Sequence, residues 1–522
     1  MSKFNKTTNT KEKNLANGTG FKRTDLKKEV TSVILNSMLS GNSAYETEKE
    51  RISKIEKLVK NRGLDNEFLA KAMVYVRNEG NLRSVSHLMA VLLAENVKGE
   101  TFMKNALYKT MIRPDDATEM IALWNSRNEG KMIPNALRKS VKSALEAKWD
   151  RYQLKKYYGN GPVKVSNLIN LTHPKPSNED KEEMFKQALE KTLPNIDTAQ
   201  TVNADKTGKA RAKKYLKMLK DKKLGYMGLM KNLKNILEAY SELKEEKKEE
   251  LITEICNLLE NEKACLNSRV LPFRFVQAYF MLEDIMDTER NDTTRVKTVS
   301  DIKTYETRIK KVLKSVEKGF KISAKNINIV EENESIALLL DESGSMNGMY
   351  WSGSNEEKLT TPFWIGKILM ASMLTGLDKN KTLGYLWADN AREINIDGSP
   401  MKFIKNTNTR GGGTDVWAAL SELIRNKIKV DKLVIFTDMQ MYNSWLSRGG
   451  DTFVDMVKKY RKINPKVKVL FWNLEGYGGP TPIKLDHDIL EVSGYSDKML
   501  EVIPKIWKDK DALIKEIEKV EL

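Results

Sequence analysis

The chain has 522 residues, too many for a single hydrophobic core, so we expect two or more domains. Its two cysteines, Cys256 and Cys265, exclude a disulfide framework and indicate a reducing compartment. No apolar run approaches the roughly 20 residues that a membrane-spanning helix needs. The polar, basic start of the chain lacks the apolar centre of a secretory signal. Composition therefore predicts a soluble, cytoplasmic protein in which residues 1–22 form a disordered basic tail.

The positive charge is confined to one part of the chain. The formal net charge is +18, but from Ile336 to the C-terminus there are 26 basic and 25 acidic residues. Residues 1–335 therefore carry a net charge of +17. A lysine-rich genome would raise the lysine content of both parts, so the asymmetry favours a polyanionic partner for the first part.

Residues 23–330 are predicted to be helical throughout. Apolar residues recur at spacings of three and four, and strand-like alternation is nearly absent. Many helices with short connections indicate stacked helical pairs with degenerate repeats. The predicted helices cover residues 25–40, 50–59, 67–78, 82–94, 117–126, 133–148, 181–191, 209–220, 226–238, 247–259, 267–285 and 296–316.

A basic cluster lies within this helical part. Its members are Arg138, Lys139, Lys142, Lys155 and Lys156. Aromatic residues are interleaved with them, and such rings suit unstacked bases while the cations hold phosphates. The alternative is that Trp149, Tyr152 and Tyr157 are core residues and that the lysines are merely solvated. That alternative applies to each residue taken singly, whereas the cluster as a whole favours RNA.

Residues 331–522 are predicted to form a doubly wound α/β domain. Short apolar runs at residues 336–340 and 432–437 are typical of buried parallel strands, and they alternate with helical patterns such as residues 414–428. Oxygen-bearing side chains follow these strands or begin a helix. They are Asp341, Ser343, Ser345, Thr414 and Asp438.

Carboxylates and hydroxyls without His or Cys are ligands for a hard cation such as Mg²⁺. Open α/β sheets bind ligands outside the carboxyl ends of their strands, where Asp341 and Asp438 are expected to lie. Taken alone, Thr414 is also an ordinary helix N-cap, and Asp438 an ordinary turn residue. The ordered set of five predicts a metal site.

The order Asp-x-Ser-x-Ser, distant Thr, distant Asp resembles the metal-ion-dependent adhesion site of von Willebrand factor A domains. The resemblance implies that Ser343 and Ser345 ligate the metal directly and that an open position takes an acidic group from a partner. It implies binding rather than catalysis. A magnesium-dependent nuclease using Asp341 and Asp438 is the enzyme alternative, although nuclease sites usually gather more carboxylates. A metal-dependent protein-binding scaffold without RNA is the third possibility.

Several phrases along the chain resemble the TROVE module of the Ro autoantigen family. They occupy residues 133–139, 152–157, 168–176, 225–233 and 271–275, with further phrases at 413–415, 436–438 and 494–500. The resemblance implies a ring-like domain of helical, HEAT-like repeats closed by a von Willebrand factor A domain, within a monomer. It implies binding of small noncoding (Y-like) RNA and of single-stranded 3′ ends of misfolded or decaying RNAs. It also implies RNA quality control, with an exoribonuclease as a further partner.

The matching phrases select the candidate RNA-binding residues. These are Arg138, Lys139, Lys142, Lys155, Lys156, His173 and Lys175. Arg83 and His87 are added from the phrase at residues 81–87, although a histidine on a helix is more often a satisfied structural residue than a ligand contact.

Overall fold

The computed structural model describes residues 11–522 apart from 16–18, 23–24, 38–46, 160, 195–201, 203–207, 271, 292–298, 328, 348–360, 397, 442–452, 476, 478–479 and 494–496. None of the helices in these described ranges is both long and apolar enough to cross a membrane.

The first part of the described chain is a stack of helices. They are α1 (Leu26–Asn36), α2 (Glu48–Val59), α3 (Asn66–Asn78), α4 (Arg83–Asn96), α5 (Thr101–Thr110), α6 (Pro114–Arg127), α7 (Asn135–Ala147), α8 (Arg151–Lys156), α9 (Val165–Thr172), α10 (Glu179–Glu190), α11 (Gly208–Lys220), α12 (Tyr226–Tyr240), α13 (Glu245–Leu259), α14 (Glu262–Ser268), α15 (Pro272–Asn291) and α16 (Val299–Ala324).

Capping and apolar spacing explain why these segments are helical. Asp25 and Asp65 accept hydrogen bonds from the first-turn amides of α1 and α3, and Thr47 forms a capping box with Glu50 at the start of α2. Helices α3, α5, α7 and α9 pack in succession, with α4 and α6 forming a second row beside them. This two-row arrangement is the stacked-pair architecture that the sequence predicts.

The second part of the chain is a six-stranded sheet covered by helices. Its strands are β3 (Ile336–Asp341), β4 (Thr382–Trp387), β5 (Ala391–Ile394), β6 (Lys432–Thr437), β7 (Lys468–Asn473) and β8 (Ile489–Ser493). Its helices are α17 (Pro362–Gly376), α18 (Pro400–Asn406), α19 (Val416–Arg425), α20 (Phe453–Ile463), α21 (Asp497–Ile506) and α22 (Ala512–Glu518), and residues Gly344–Asn347 form a 3₁₀ turn.

The strand order is β5-β4-β3-β6-β7-β8, with β5 antiparallel and the other pairs parallel. Alternate residues of β3 serve opposite faces: Leu338 and Leu340 join the core that includes α17, whereas Leu339 joins the core that includes α19 and α20. A continuous apolar strand covered on both faces is therefore the central strand of a doubly wound sheet.

The sheet domain closes the helical array into a ring. Helices α15 and α16 pack against α17, whereas α1 packs against β8 and α22 packs against α1 and α3. At this second junction the Ser32 and Ser493 hydroxyls lie 2.9 Å apart, and Lys27 pairs with Glu518 at 2.5 Å. The predicted fold, a ring of helical repeats closed by a doubly wound A domain, is confirmed.

Four short helices of the first part, α5, α8, α9 and α14, were not predicted. They were missed because each has at most ten residues and offers too few turns for a clear periodicity. The predicted helix at 267–285 is interrupted instead: α14 ends at Ser268, Arg269 adopts φ 48°, and α15 begins at Pro272. Proline at a helix start explains the break.

The basic tail predicted for residues 1–22 is ordered in part. Residues Lys11–Lys13 (β1) and Thr19–Phe21 (β2) pair as an antiparallel ribbon, and Phe21 bridges to Thr481 of the A domain. Composition predicted disorder because the segment has few apolar residues. The ribbon is held instead by backbone hydrogen bonds. Amino-acid composition gives no information about such bonds, because every residue type can form them.

Candidate functional site

Two carboxylates meet at the edge of the sheet where its strand order reverses. Strands β3 and β6 run parallel, with Leu340 opposite Phe436, so Asp341 and Asp438 emerge from neighbouring strands at their carboxyl ends. Both side chains are fully buried. This is the switch point at which doubly wound sheets bind ligands.

Hydroxyl and amide groups surround the first carboxylate. The Ser343 amide donates to Asp341 Oδ1 at 2.9 Å, and the Thr437 hydroxyl donates to Asp341 Oδ2 at 2.8 Å. The Ser343 and Ser345 hydroxyls lie 3.3 Å apart. The loop after β3 therefore turns its two serine oxygens together beside Asp341.

The second carboxylate, that of Asp438, uses only one of its oxygens in hydrogen bonds with the described residues. Asp438 Oδ1 accepts from the Gln440 amide at 2.9 Å, whereas Oδ2 is buried without a hydrogen-bond partner among the described residues. Burial raises the pKa of Asp438, and the Gln440 amide and the Ser345 hydroxyl oppose that rise only in part. A buried carboxylate oxygen without a donor is costly unless a cation serves it.

The electrostatic surroundings of Asp341 and Asp438 also favour a bound cation. Burial, and then the negative charge of Asp438, raise the pKa of Asp341 to about 7. Burial also raises the pKa of Asp438. Two buried carboxylates with serine hydroxyls beside them fit a hard divalent cation, which would offset both burial and mutual repulsion.

A glycine-rich loop brings Thr414 to the same edge. The Gly344 amide donates to the Gly412 carbonyl at 3.4 Å, and the Gly413 amide donates to Asp389 Oδ1 at 2.9 Å. Gly412 adopts φ 100°, which other residues rarely tolerate. Thr414 is buried two residues before α19. The five predicted metal ligands therefore belong to three loops, of which the loop after β3 contacts both of the others.

A second charged region is centred on Lys231 of α12, which packs against α15. Burial, followed by the positive charges of Arg274, Arg113 and Lys156, lowers the pKa of Lys231. Arg274 lies on α15, Arg113 directly precedes α6, and Lys156 lies on α8. Distant parts of the chain therefore place positive charge near Lys231 of α12. We call Arg113, Lys156, Lys231 and Arg274 the cationic cluster.

Aromatic rings accompany the cationic cluster. The Lys156 ammonium lies 5.3 Å from the Tyr152 ring centroid and 5.2 Å from that of Tyr157, and the Arg113 guanidinium lies 4.8 Å from Tyr157. No carboxylate in the described ranges forms a salt bridge with Lys156 or Lys231. Half-buried cations beside partly exposed tyrosines are suited to phosphates and bases together.

Comparison with known proteins supports the architecture. A family model for the TROVE domain matches residues 209–335. The crystal structure of the Ro (RSR) protein of Deinococcus radiodurans aligns with a TM-score of 0.60 and 15% identity, covering 92% of this chain and 100% of that one. Residues 209–335 therefore resemble a TROVE domain, and the chain has the fold of this Ro protein. The family resemblance predicted from the sequence is confirmed, whereas a comparison with curated proteins gives no match.

Within the Ro fold, most predicted RNA-binding residues gather around α7 and α9. Arg138, Lys139, His173 and Lys175 are exposed. The Lys142 ammonium lies 3.9 Å from Glu146, whose Oε1 also accepts from the Lys175 amide at 2.7 Å. His173 ends α9 with φ 43°. These five residues form one surface, which we call the α7–α9 face.

Neighbouring lysines of α8 have different roles. The Lys155 ammonium donates to the Leu193 carbonyl at 2.7 Å and ties α8 to the chain after α10. Lys156 instead belongs to the cationic cluster. Among the interleaved aromatics, Trp149 is a core residue, as the alternative interpretation states, while Tyr152 is 40% exposed.

Arg83 and His87 are a correction to the sequence analysis. His87 is buried, with Nε2 at 3.1 Å from Asp116 Oδ1 and Nδ1 at 3.1 Å from Glu119. Arg83 pairs with Asp115, Asp116 and Glu119 at 2.9–3.0 Å. Both side chains are taken up by carboxylates inside the Ro fold, so they hold helices together rather than present charge to RNA.

Three members of the cationic cluster were not predicted. Arg113 precedes a proline and resembles an ordinary helix start, while Lys231 and Arg274 stand alone among apolar neighbours. Lys231 and Arg274 nevertheless lie inside the family-like phrases at residues 225–233 and 271–275. Treating every cation within those phrases as a candidate would have found both.

Proposed function

We propose that this protein binds RNA, taking single-stranded 3′ ends of misfolded or decaying RNAs at the cationic cluster and a small noncoding, Y-like RNA on the α7–α9 face. In this role it serves RNA quality control, with an exoribonuclease as a partner that acts on the bound RNA. The observations that support the proposal are the placement of Arg113 and Lys156 at the Tyr157 ring and the lowering of the Lys231 pKa by burial and by the nearby positive charges. Asp115 already pairs with Arg113 at 2.9 Å, whereas Lys156 and Lys231 have no carboxylate partner among the described residues. A polyanion would offset the charge of these two lysines.

The composition of the cluster favours a single strand over a duplex. Tyr157 lies under both Arg113 and Lys156, so a ring face and two cations serve the same small region. Bases of a single strand can stack on such a ring while the backbone contacts the cations, whereas paired bases are not available for stacking.

The first experiment measures the affinity of a short single-stranded RNA as a function of salt concentration. Single-strand binding should weaken with a slope of about −0.7 for each phosphate contact in log–log form. The variant Lys156→Ala/Lys231→Ala should bind more weakly and lower the slope by about 1.4. The matched control is Lys462→Ala/Lys466→Ala, two exposed lysines at the end of α20.

An unchanged slope in the cluster variant would refute single-strand binding at this place. Lys155→Ala is not a suitable test of phosphate contact, because removing its hydrogen bond to Leu193 also loosens α8. The α7–α9 face is tested separately with Arg138→Ala/Lys139→Ala, by sequencing RNA cross-linked to the protein in its own host. Loss of a small structured RNA from this variant alone would support a distinct outer site.

We further propose that Asp341, Ser343, Ser345, Thr414 and Asp438 bind Mg²⁺ or another hard divalent cation. The bound cation would offer an open coordination position to an acidic group of a protein partner. The buried, unpartnered Asp438 Oδ2 supports this part of the proposal.

The site favours binding over hydrolysis. Among the described residues, no group of three or more His, Cys, Asp or Glu side chains is placed to hold a metal, so the candidate ligands are mainly hydroxyls. A second metal, as many nucleases use, would lack carboxylates here. Cleavage of labelled RNA that requires Mg²⁺ and disappears in Asp341→Ala would favour the nuclease alternative.

A further inference from the structure

The N-terminal ribbon, residues 11–15 and 19–22, lies against the turn that follows Asp438. The Asn14 side-chain amide donates to the Met441 carbonyl at 2.7 Å, and the Leu15 backbone amide donates to Gln440 Oε1 at 2.8 Å. More than 420 residues of chain separate the partners of each hydrogen bond. The first described segment of the chain therefore touches the last segment of the candidate metal site.

The second strand of the ribbon is fixed to another A-domain loop. The Phe21 amide donates to the Thr481 carbonyl at 2.8 Å, and the Thr481 amide donates back at 2.9 Å. A Cβ atom on Gly20 would lie 2.7 Å from Pro480 Cβ and 2.8 Å from the Thr481 carbonyl oxygen. Only glycine permits this approach, so the ribbon is seated at a specific place.

The turn that the ribbon contacts is conformationally demanding. Met439 adopts φ 65°, a left-handed conformation that is unusual for a residue other than glycine. Within the turn, the Met439 amide donates to Thr437 Oγ1 at 3.2 Å and the Gln440 amide donates to Asp438 Oδ1 at 2.9 Å. Such a conformation persists when its surroundings hold it in place.

A continuous path of hydrogen bonds connects the ribbon to both carboxylates. Leu15 holds the Gln440 side chain, and the Gln440 backbone orients Asp438. On the other side of the turn, Thr437 Oγ1 accepts from Met439 and donates to Asp341. Displacing the ribbon would release the turn and, with it, the orientation of Asp438.

We propose that the N-terminal ribbon is a clamp that positions Asp438, so that docking of the ribbon and binding of a divalent cation strengthen each other. Asn14 and Gly20 act as positioning residues. The inference rests on the proposed metal site. Because coupling between two binding events is reciprocal, the cation should also hold the ribbon in place.

The test is a titration of the full-length protein with Mn²⁺, in which calorimetry measures the binding. Asn14→Ala removes one hydrogen bond and should weaken cation binding about two- to tenfold. Gly20→Val prevents the close approach to Pro480 and should weaken it further. Lys13→Ala, which changes an exposed side chain on the same ribbon, is the control and should bind like the wild type.

The reciprocal measurement is limited trypsin digestion, since Lys11, Lys13 and Lys22 lie in the ribbon. Mn²⁺ should slow cleavage there in the wild type and leave the rate unchanged in Asp341→Asn. A merely structural ribbon would show no effect of the cation on its cleavage.

The outcomes separate the two proposals. If the wild type fails to bind Mn²⁺, the metal site itself is refuted and the clamp with it. If the wild type, Asn14→Ala and Gly20→Val bind Mn²⁺ equally well, the metal site stands and the clamp is wrong. Unfolding of Asn14→Ala without metal should match that of the wild type, which excludes a general loss of stability as the cause.

Discussion

Two buried carboxylates in this protein, Asp116 and Asp341, have opposite electrostatic surroundings. Asp116 accepts from Arg77 Nη2 at 2.8 Å, Arg83 Nε at 3.0 Å and His87 Nε2 at 3.1 Å. Asp341 is equally buried, yet its nearest charge is another carboxylate, Asp438. Among the residues that the structure describes, Asp116 has cationic partners, whereas Asp341 has only polar donors.

The pKa values of the two groups diverge accordingly. Burial opposes ionisation of both, but hydrogen bonds from His87 and Arg77 hold the pKa of Asp116 far below its usual range. Burial and a like charge raise that of Asp341. A carboxylate with its cations built in stabilises the fold, whereas one without them is prepared for a cation from outside.

The largest effect should follow from removing the charge of Asp116. Asp116→Asn leaves Arg77 buried without its counter-ion, and the free energy of unfolding should fall by about 3–5 kcal/mol. Denaturant unfolding measures the change. The control Asp180→Asn alters a largely exposed ion pair with Arg151 and should lower the free energy of unfolding by less than about 1 kcal/mol.

Asp341→Asn should behave differently. Without metal the variant should be at least as stable as the wild type, because one of two repelling charges is gone. With Mg²⁺ at about 100 times its dissociation constant, the wild type should gain about 2.7 kcal/mol and the variant nothing. Thermal unfolding with and without Mg²⁺ tests this, and equal metal-induced stabilisation of both proteins would contradict the assignment of Asp341 as a ligand.

Arg83→Met should separate structural cations from RNA-binding cations. Arg83 is partly exposed and shares its carboxylates with other donors, so its loss should lower the free energy of unfolding by about 1 kcal/mol. Affinity for single-stranded RNA should stay unchanged. The reverse pattern, with stability retained and RNA affinity reduced, would restore Arg83 as a contact; Lys156→Ala is expected to show that reverse pattern.

The smallest effect concerns pH. Although burial opposes it, hydrogen bonding to Asp116 and Glu119 raises the pKa of His87. The folded state therefore holds the proton more tightly than the unfolded chain, whose histidine pKa is about 6.5. This stabilisation is complete below that pH and is lost as pH rises through the higher pKa of the folded state.

The measurement compares the free energies of unfolding of the wild type and His87→Gln at several pH values. The difference between them should be largest in mild acid and should shrink in alkali. A difference that does not vary with pH would show that His87 is neutral in the fold.

The sequence predicts the architecture of the A domain well, because its signals are local. Continuous apolar strands such as Ile336–Asp341 identify a sheet covered on both faces. The residue that ends such a strand or directly follows it lies at the ligand-binding edge, as Asp341 and Asp438 do. The contact of the Thr414 loop with Gly344 follows from the same topology. Here spacing along the chain translates directly into proximity.

Sequence reasoning is weaker for charges within the helical part. Lys155 and Lys156 are adjacent and chemically identical, yet one binds a carbonyl and the other joins the cationic cluster. Arg83 is as basic as Arg274, but neighbouring carboxylates occupy it. Which cations remain available depends on partners 30 or more residues away, and a single sequence does not specify those pairings.

The seam of the ring joins the C-terminal residues 518–521 to helices α1 and α5. Lys27 pairs with Glu518, and the Lys109 ammonium donates to the Glu521 carbonyl at 2.8 Å. The ring is closed here by noncovalent contacts of side chains and not by a continuous polypeptide. A nucleic acid threaded through the ring therefore has two ways out: it can slide until its end passes, or the seam can part and release an internal loop. Sliding is governed by the contour length of the nucleic acid, whereas opening of the seam is governed by the free energy of a few ion pairs. Salt would therefore change how long a threaded molecule stays as well as how tightly it is held.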